Sequence, residues 1–109
     1  MCRSVLHLLC QTPAVERVEV ELFSDGGNNA IVRMPGREFP GMVVQGDTLS
    51  TLWVDVTEAA DSARVAGVPA EVQSGLDLLT ARLGEMLQRY ERALNEHGLR
   101  KPYVLPPRP

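Results

Sequence analysis

The first half of the chain alternates apolar and polar residues with a period of two, which predicts a short β-sheet. Val18, Val20 and Leu22 alternate with charged residues, as is typical of a half-buried strand. The segment 24–29 that follows is rich in Gly and Asn, which tolerate positive φ. An apolar segment, 30–34, comes next. This order of segments predicts a β-hairpin.

The hairpin register is predicted from the pairing that collects apolar side chains on one face. If residues 25–29 form the loop, Glu21 lies opposite Arg33 and Phe23 lies opposite Ile31. One face is then wholly apolar and consists of Val18, Val20, Leu22, Ala30, Val32 and Met34. A slip by one residue would place Arg33 on that face, so the sequence favours the first register.

Two Pro-Gly pairs follow the hairpin and divide the next segment. Pro35-Gly36 and Pro40-Gly41 match the central positions of β-turns. Residues 42–45 form a short apolar run that ends at a glycine. We therefore expect a third strand at 42–45, which completes a three-stranded antiparallel β-meander.

The second half of the chain has helical periodicity. Asp47 or Thr48 would cap a first helix that ends near Gly67, and Pro69 would open a second helix that runs to about His97. The apolar stripe of the first helix comprises Leu49, Leu52, Trp53, Val56, Ala59, Ala60 and Ala63. The stripe of the second comprises Val72, Leu76, Leu79, Leu83, Met86, Leu87, Tyr90, Ala93, Leu94 and His97. The expected fold is α+β: a three-stranded antiparallel β-meander followed by a two-helix antiparallel hairpin packed on one sheet face.

The length of 109 residues corresponds to one small domain. We expect this α+β domain to span residues 15–98, between a flexible N-terminal extension at 1–14 and a proline-rich C-terminal tail at 99–109. The apolar run in the extension is shorter than a signal-peptide core and no small-residue cleavage site follows it. No apolar run approaches the ~20 residues of a membrane helix. These features predict a cytoplasmic protein.

Charge is concentrated in the body of the chain. All 14 acidic residues and seven of the 11 basic residues fall within 15–98, so this body carries a net charge of −7. An acidic body repels phosphate and anionic lipid. The charge therefore argues against nucleic-acid and membrane partners and allows a basic protein partner.

Residues that could perform catalysis or bind a metal are few and scattered. Cys2, His7 and Cys10 are three soft ligands, whereas a structural zinc site needs four. The second histidine, His97, lies at a helix end, so the sequence offers no Ser–His–Asp set and no placed acid–base pair. We therefore expect no metal, no cofactor and no catalytic residue, which favours a non-enzymatic role.

The expected function is protein–protein interaction, as in an immunity protein, an antitoxin or a small regulatory subunit. We expect the contact surface to centre on Phe23 and Ile31, on the sheet face away from the helices. The surrounding residues would be Glu19, Glu21, Arg33, Asp25, Asn28, Asn29, Arg37 and Phe39. The alternative is a small-molecule-binding or hydrolytic domain that uses the loops at 25–29 and 46–47, which a deep polar cleft would favour.

The second helix is longer than the first, and its apolar stripe continues through Tyr90, Leu94 and His97. This surplus has to be covered by the sheet, by the tail or by another subunit. The sequence therefore also predicts a homodimer.

Two stretches resemble a family of small, stand-alone bacterial proteins of unknown function. They read VEVELFSDGGNNAIVR at 18–33 and PGREFPGMVVQGDTLS at 35–50, and the resemblance extends over about residues 15–103. It implies no activity. Members of the family usually begin close to the position of Glu16, which agrees with an extension at 1–14. The arginine-containing proline tail departs from the usual ending.

Overall fold

The computed structural model of the chain describes residues 14–104. Three strands, β1 (Glu21–Ser24), β2 (Ile31–Arg33) and β3 (Gly41–Met42), precede two helices, α1 (Gly46–Ala66) and α2 (Ala70–Glu96). The strands form one antiparallel sheet in the order β1-β2-β3, and the helices pack against each other. The expected α+β fold, a three-stranded sheet followed by a helical hairpin, is confirmed. Cys2, His7, Cys10 and nearly all of the expected extension lie outside the described residues.

The hairpin register agrees with the prediction at one end and departs from it at the other. Glu21 lies opposite Arg33 as expected, but Ser24 lies opposite Ile31 because a bulge adds one residue to β1. Phe23 is that extra residue, so the predicted pairing of Phe23 with Ile31 is wrong. In the bulge, two residues of β1 lie opposite one residue of β2, at the point where β1 leads into the loop.

The first strand is also shorter than its sequence pattern predicts. Val18 and Val20 precede β1 and are 53% and 41% exposed. The cause lies on the neighbouring strand, where the N–H of Arg37 donates to the carbonyl of Met34 at 3.1 Å. This bond closes the expected turn at Pro35-Gly36, with Gly36 at a φ of +78°. Because the turn ends β2, the segment before Glu21 has no strand to pair with.

The third strand runs directly into the first helix. Gly41 pairs with Val32 instead of forming the expected turn at Pro40-Gly41. Beyond β3, the N–H of Val43 donates to the carbonyl of Ala30 at 2.8 Å, so backbone contact with the hairpin continues through part of the predicted strand 42–45. The next ordered element, α1, starts at Gly46 with Gln45 as its N-cap, two or three residues before the predicted cap at Asp47 or Thr48.

Both helices end on a glycine in the left-handed conformation, as the sequence predicts. Gly67 has a φ of +73° and Gly98 a φ of +68°. The N–H of Val68 donates to the carbonyl of Ala63, and the N–H of Leu99 donates to that of Leu94. These bonds satisfy carbonyls that a helix end leaves without a partner. The bond from Val68 fixes the short connection between α1 and α2, and the bond from Leu99 fixes the start of the tail.

The seam between the helices is displaced from the centre of the predicted stripes. The buried residues of the seam are Gly46, Leu49, Ser50, Thr57, Ala60 and Leu87. Two glycines allow this close approach: a Cβ at Gly84 would lie 3.0 Å from Nε1 of Trp53, and one at Gly46 would overlap the ring of Tyr90. The seam also includes the buried polar residues Ser50 and Thr57.

The sheet adjoins the helical hairpin at one end only. Among residues 14–104, Cα atoms within 8 Å of each other link strand to strand and helix to helix, but no strand to a helix. The connection runs through Met42 and Val44, which line a groove together with Leu49 of α1 and Met86 of α2. The sheet face that was expected to be covered therefore stays open, with Leu22 60% exposed.

Candidate functional site

An ion pair on the hairpin joins β1, β2 and the loop that follows. Arg33 donates from Nε to Oε1 of Glu21 at 2.6 Å and from Nη2 to Oε2 at 3.0 Å, which is bidentate geometry. The Arg33 guanidinium also lies 5.4 Å from the ring centre of Phe23 and donates to the carbonyl of Glu38. The hydrogen bond from Arg33 lowers the pKa of Glu21 below its ordinary value. This cluster holds the hairpin together.

The structure divides the predicted contact surface between two faces of the sheet. Ile31 lies opposite Met42 and shares a face with Arg33, because side chains alternate along a strand. Met42 lines a groove with Leu49 and Met86, so Ile31 lies beside the part of the sheet that adjoins the helices. The binding role of these residues stays a prediction.

The remaining predicted contact residues surround the hairpin. Glu19 precedes β1 and is exposed, as are Asp25 and Asn28 in the β1–β2 loop. Asn29 is half-buried, and its side-chain amide donates to the sulfur of Met42 at 3.6 Å. Through Asn29, the β1–β2 loop is linked to Met42 of β3.

Arg37 and Phe39 instead border a groove on the open sheet face. We call this the sheet groove; it has a volume of about 330 Å³ and is lined by Val32, Met34, Arg37, Phe39, Gly41, Met42 and Val43. Phe39 is 75% exposed, and Met34 and Val43 are also exposed. The turn at Pro35-Gly36 directs the chain back over this face, which brings Phe39 beside the strand residues. The result is an open apolar concavity with one cationic side chain.

The two loops of the alternative function do meet. The N–H of Gln45 donates to the carbonyl of Asn28 at 3.3 Å, which joins the loop at 25–29 to the start of α1. However, Gly46 is buried against Tyr90, and the Asp47 carboxylate accepts a hydrogen bond from the N–H of Thr48. The Asp47 carboxylate is thus already hydrogen-bonded within the first turn of α1.

A second open surface lies along the helices. We call it the helical face and define it by the apolar residues that flank the seam on one side, next to the buried Leu49: Leu52, Val56 and Ala59 of α1 with Val72, Leu76, Leu79, Leu83 and Met86 of α2. Leu52, Val72, Leu79 and Met86 are each 45–51% exposed. The helical periodicity predicted that these residues lie in the core.

The opposite flank of the seam is polar. Arg64 of α1 donates to Asp77 of α2 at 2.7 Å, and Gln73 donates both to Asp77 and to the carbonyl of Ala60. These hydrogen bonds, first that from Gln73 and then that from Arg64, lower the pKa of Asp77 below its ordinary value. The two flanks therefore differ in character: one is bridged by hydrogen bonds and the other is apolar and open.

The tail packs against the end of α2. The hydroxyl of Tyr103 donates to Glu91 at 2.7 Å, and Lys101 lies 3.7 Å from the same carboxylate. Burial first, and then Glu91, raise the pKa of Tyr103 above its ordinary value. In this part of α2, Gly46 lies against the ring of Tyr90, and the tail bonds to the neighbouring Glu91. The homodimer was predicted from this surplus, so an argument for it has to rest on another surface of the protein.

Residues 14–104 contain no group of three or more His, Cys, Asp or Glu side chains that could hold a metal ion. Neither α1 nor α2 combines the length and the apolar character that a membrane-spanning helix requires.

The chain belongs to DUF6959, a family of unknown function that matches residues 15–103. This match agrees with the resemblance seen in the sequence and covers the sheet, both helices and the first part of the tail. No curated protein and no solved structure matches the chain.

Proposed function

We propose that the protein is a non-enzymatic interaction module that binds an apolar segment of a partner protein in the sheet groove. The observation that supports this proposal is the exposure of Phe39, which at 75% is among the most exposed large apolar side chains of the described residues. Full burial of a Phe side chain contributes about 1.5–3 kcal/mol. A partner that covers Phe39 would recover most of this free energy.

The chemistry of the groove defines the segment that would bind. Val32, Met34 and Val43 form its apolar floor and sides, and a methionine adapts its shape to different partners. Arg37 adds a planar donor that suits a carboxylate or a backbone carbonyl. The body of the domain carries a net charge of −7, so basic residues around the apolar segment would speed association.

Capture with the tagged chain from its native host, followed by binding measurements with the purified partner, tests this proposal. Phe39→Ser should weaken binding strongly because it removes the largest apolar contact of the groove. Val65→Ser is the matched control, since Val65 is 90% exposed on α1 and lies outside the groove. Both variants should keep the helical circular dichroism of the wild type.

The same assay separates the sheet groove from the surface predicted by sequence. Phe23→Ser with Ile31→Thr changes the Phe23 face and leaves the groove residues in place. If that double variant loses the partner while Phe39→Ser binds normally, the sheet-groove proposal is wrong and the Phe23 face is the contact surface.

A second candidate function is small-molecule binding at the loops 25–29 and 46–47. The hydrogen bond between Gln45 and Asn28 supports it, because it brings the two loops together. Thermal-shift screening against a set of polar metabolites, with Asn28→Ala as the comparison, tests it. A ligand that stabilises the wild type and not the variant would support this candidate.

A further inference from the structure

We propose that a second copy of this chain packs on the helical face, so that two helical hairpins form a four-helix dimer. This surface is separate from the sheet groove, and the proposal does not depend on the proposed function. It rests on the position of the exposed apolar residues, their spacing, the distribution of charge and the available area.

The open apolar residues of both helices lie on the same side of the hairpin. Leu49 of α1 and Met86 of α2 line one common groove, so these two flanks face the same way. On α2, Asp77 falls on the side of the helix away from Val72, Leu79 and Met86 at 100° per residue, and Arg64 reaches it from the last turn of α1. The hairpin therefore has one polar flank and one apolar flank.

The exposed residues repeat every seven positions. On α2 the repeat comprises Val72, Leu79 and Met86, and on α1 it comprises Leu52 and Ala59. A seven-residue repeat drifts by only about 20° per repeat around a straight helix, so these residues share one face, and such faces typically pack against further helices. The α2 line carries large side chains, whereas α1 ends in alanines. A second copy that places its α1 over this α2 would bring large residues against small ones.

Charge favours the same arrangement. Asp55 follows Leu52 by three residues and Arg82 follows Leu79 by three residues, so each borders an apolar line. Trp53 faces Gly84 in the antiparallel hairpin, which places Asp55 level with Arg82 along its length. In a two-fold dimer with α1 over α2 of the other copy, Asp55 and Arg82 of different copies would lie at the same edge. This self-complementarity points to a second copy as the occupant.

The face is large enough for a stable dimer. The 21 residues of α1 set the length of the paired region at about 30 Å. Two helices side by side are about 20 Å wide. The two copies together would bury about 1,200 Å², which is the lower limit of the usual range for specific interfaces.

Light scattering of the full chain at high micromolar concentration, with a pair of adjacent-residue variants, tests the proposal. Leu79→Asp places a charge on the helical face, and Leu78→Asp places the same charge one position away, on the outer surface of α2. The two leucines are 47% and 52% exposed. The wild type and Leu78→Asp should have about twice the chain mass of 12.0 kDa. Leu79→Asp should have the mass of one chain with unchanged helical circular dichroism.

A charge exchange tests the pairing of the two copies. Arg82→Asp should weaken the dimer at least several-fold, and addition of Asp55→Arg should restore it. A wild type that stays monomeric overturns the proposal, as does a dimer that both leucine variants leave intact. Loss of the dimer in both folded leucine variants also overturns it, because it would place the interface on the outer surface of α2. None of these outcomes involves Phe39, so they are distinguishable from failure of the proposed function.

Discussion

Two glycines inside α2 experience different surroundings and should respond oppositely to the same substitution. A Cβ added at Gly75 meets no atom within 4 Å, whereas a Cβ at Gly84 would lie 3.0 Å from Nε1 and 3.5 Å from Cδ1 of Trp53. Gly75→Ala and Gly84→Ala therefore share their change in helix propensity. They differ in the contact with the indole ring.

The expected magnitudes follow from these two effects. Replacement of an interior helical Gly by Ala contributes about 0.8–1.0 kcal/mol, so Gly75→Ala should raise the free energy of unfolding by about that amount. At Gly84 the new methyl group approaches closer than the ordinary carbon contact of about 3.5–4.0 Å. Overpacking of this kind costs about 1–3 kcal/mol. Gly84→Ala should thus be less stable than Gly75→Ala by about 1–3 kcal/mol.

Thermal unfolding of both variants, compared at one concentration and equal light-scattering mass, measures this difference. Equal mass matters because association stabilises the folded state. For a domain of this size, 1 kcal/mol corresponds to a shift of about 4–8 °C in Tm. The single tryptophan of the chain, Trp53, supplies a second readout, because Gly84→Ala should change its fluorescence and Gly75→Ala should not. Equal stabilisation by both substitutions, with equal fluorescence, would refute the contact between Trp53 and Gly84.

Two further predictions concern single polar groups. The hydrogen bond from Arg33 lowers the pKa of Glu21 below its ordinary value of 4.5. This pair therefore stabilises the hairpin above pH 4.5, and the stabilisation is lost as the pH falls through the lowered pKa. In Arg33→Gln, an NMR titration should show the Glu21 pKa rising towards 4.5, and an unchanged pKa would contradict this cause. Thr57 is only 3% exposed, and its hydroxyl has no hydrogen-bond partner among the described atoms; Thr57→Val should stabilise the fold by about 1 kcal/mol. The control is Thr80→Val, because the Thr80 hydroxyl donates to the carbonyl of Leu76 at 2.8 Å. Urea unfolding should show a larger gain in the free energy of unfolding for Thr57→Val than for Thr80→Val. Equal changes in the two variants would contradict the prediction.

The features that the sequence predicted correctly are determined over a few residues. Gly67 and Gly98 end the helices because a left-handed residue is needed there, and glycine adopts that conformation without strain. Pro35-Gly36 forms the expected turn for the same reason. The pairing of Glu21 with Arg33 followed from placing apolar residues on one face. Each of these features depends on residues that are close in sequence or on one adjacent strand.

The features that the sequence did not predict depend on distant contacts. The stripe on α2 holds ten residues, which is wider than the contact with one helix, so periodicity alone did not decide which part meets α1. The part of α2 that contacts α1 is determined by two close contacts, that of the Trp53 indole with Gly84 and that of the Tyr90 ring with Gly46. The glycine within the helical pattern, Gly84, was the available signal for this close approach. The bulge at Phe23 likewise depends on how the loop closes.

The separation of the sheet from the helices explains why two apolar surfaces stay open in one small chain. A sheet and a helical pair usually share one core, so each covers the apolar face of the other. Here they adjoin only near Met42 and Val44, so the helices cannot cover Phe39 and the sheet cannot cover Leu79. The two surfaces differ in what can cover them. The helical face is long, straight and self-complementary in charge, which suits a second copy, whereas the sheet groove is short and concave, which suits a narrow segment of another protein. Covering one surface leaves the other accessible, so a dimer joined through its helices would present two sheet grooves to its partners.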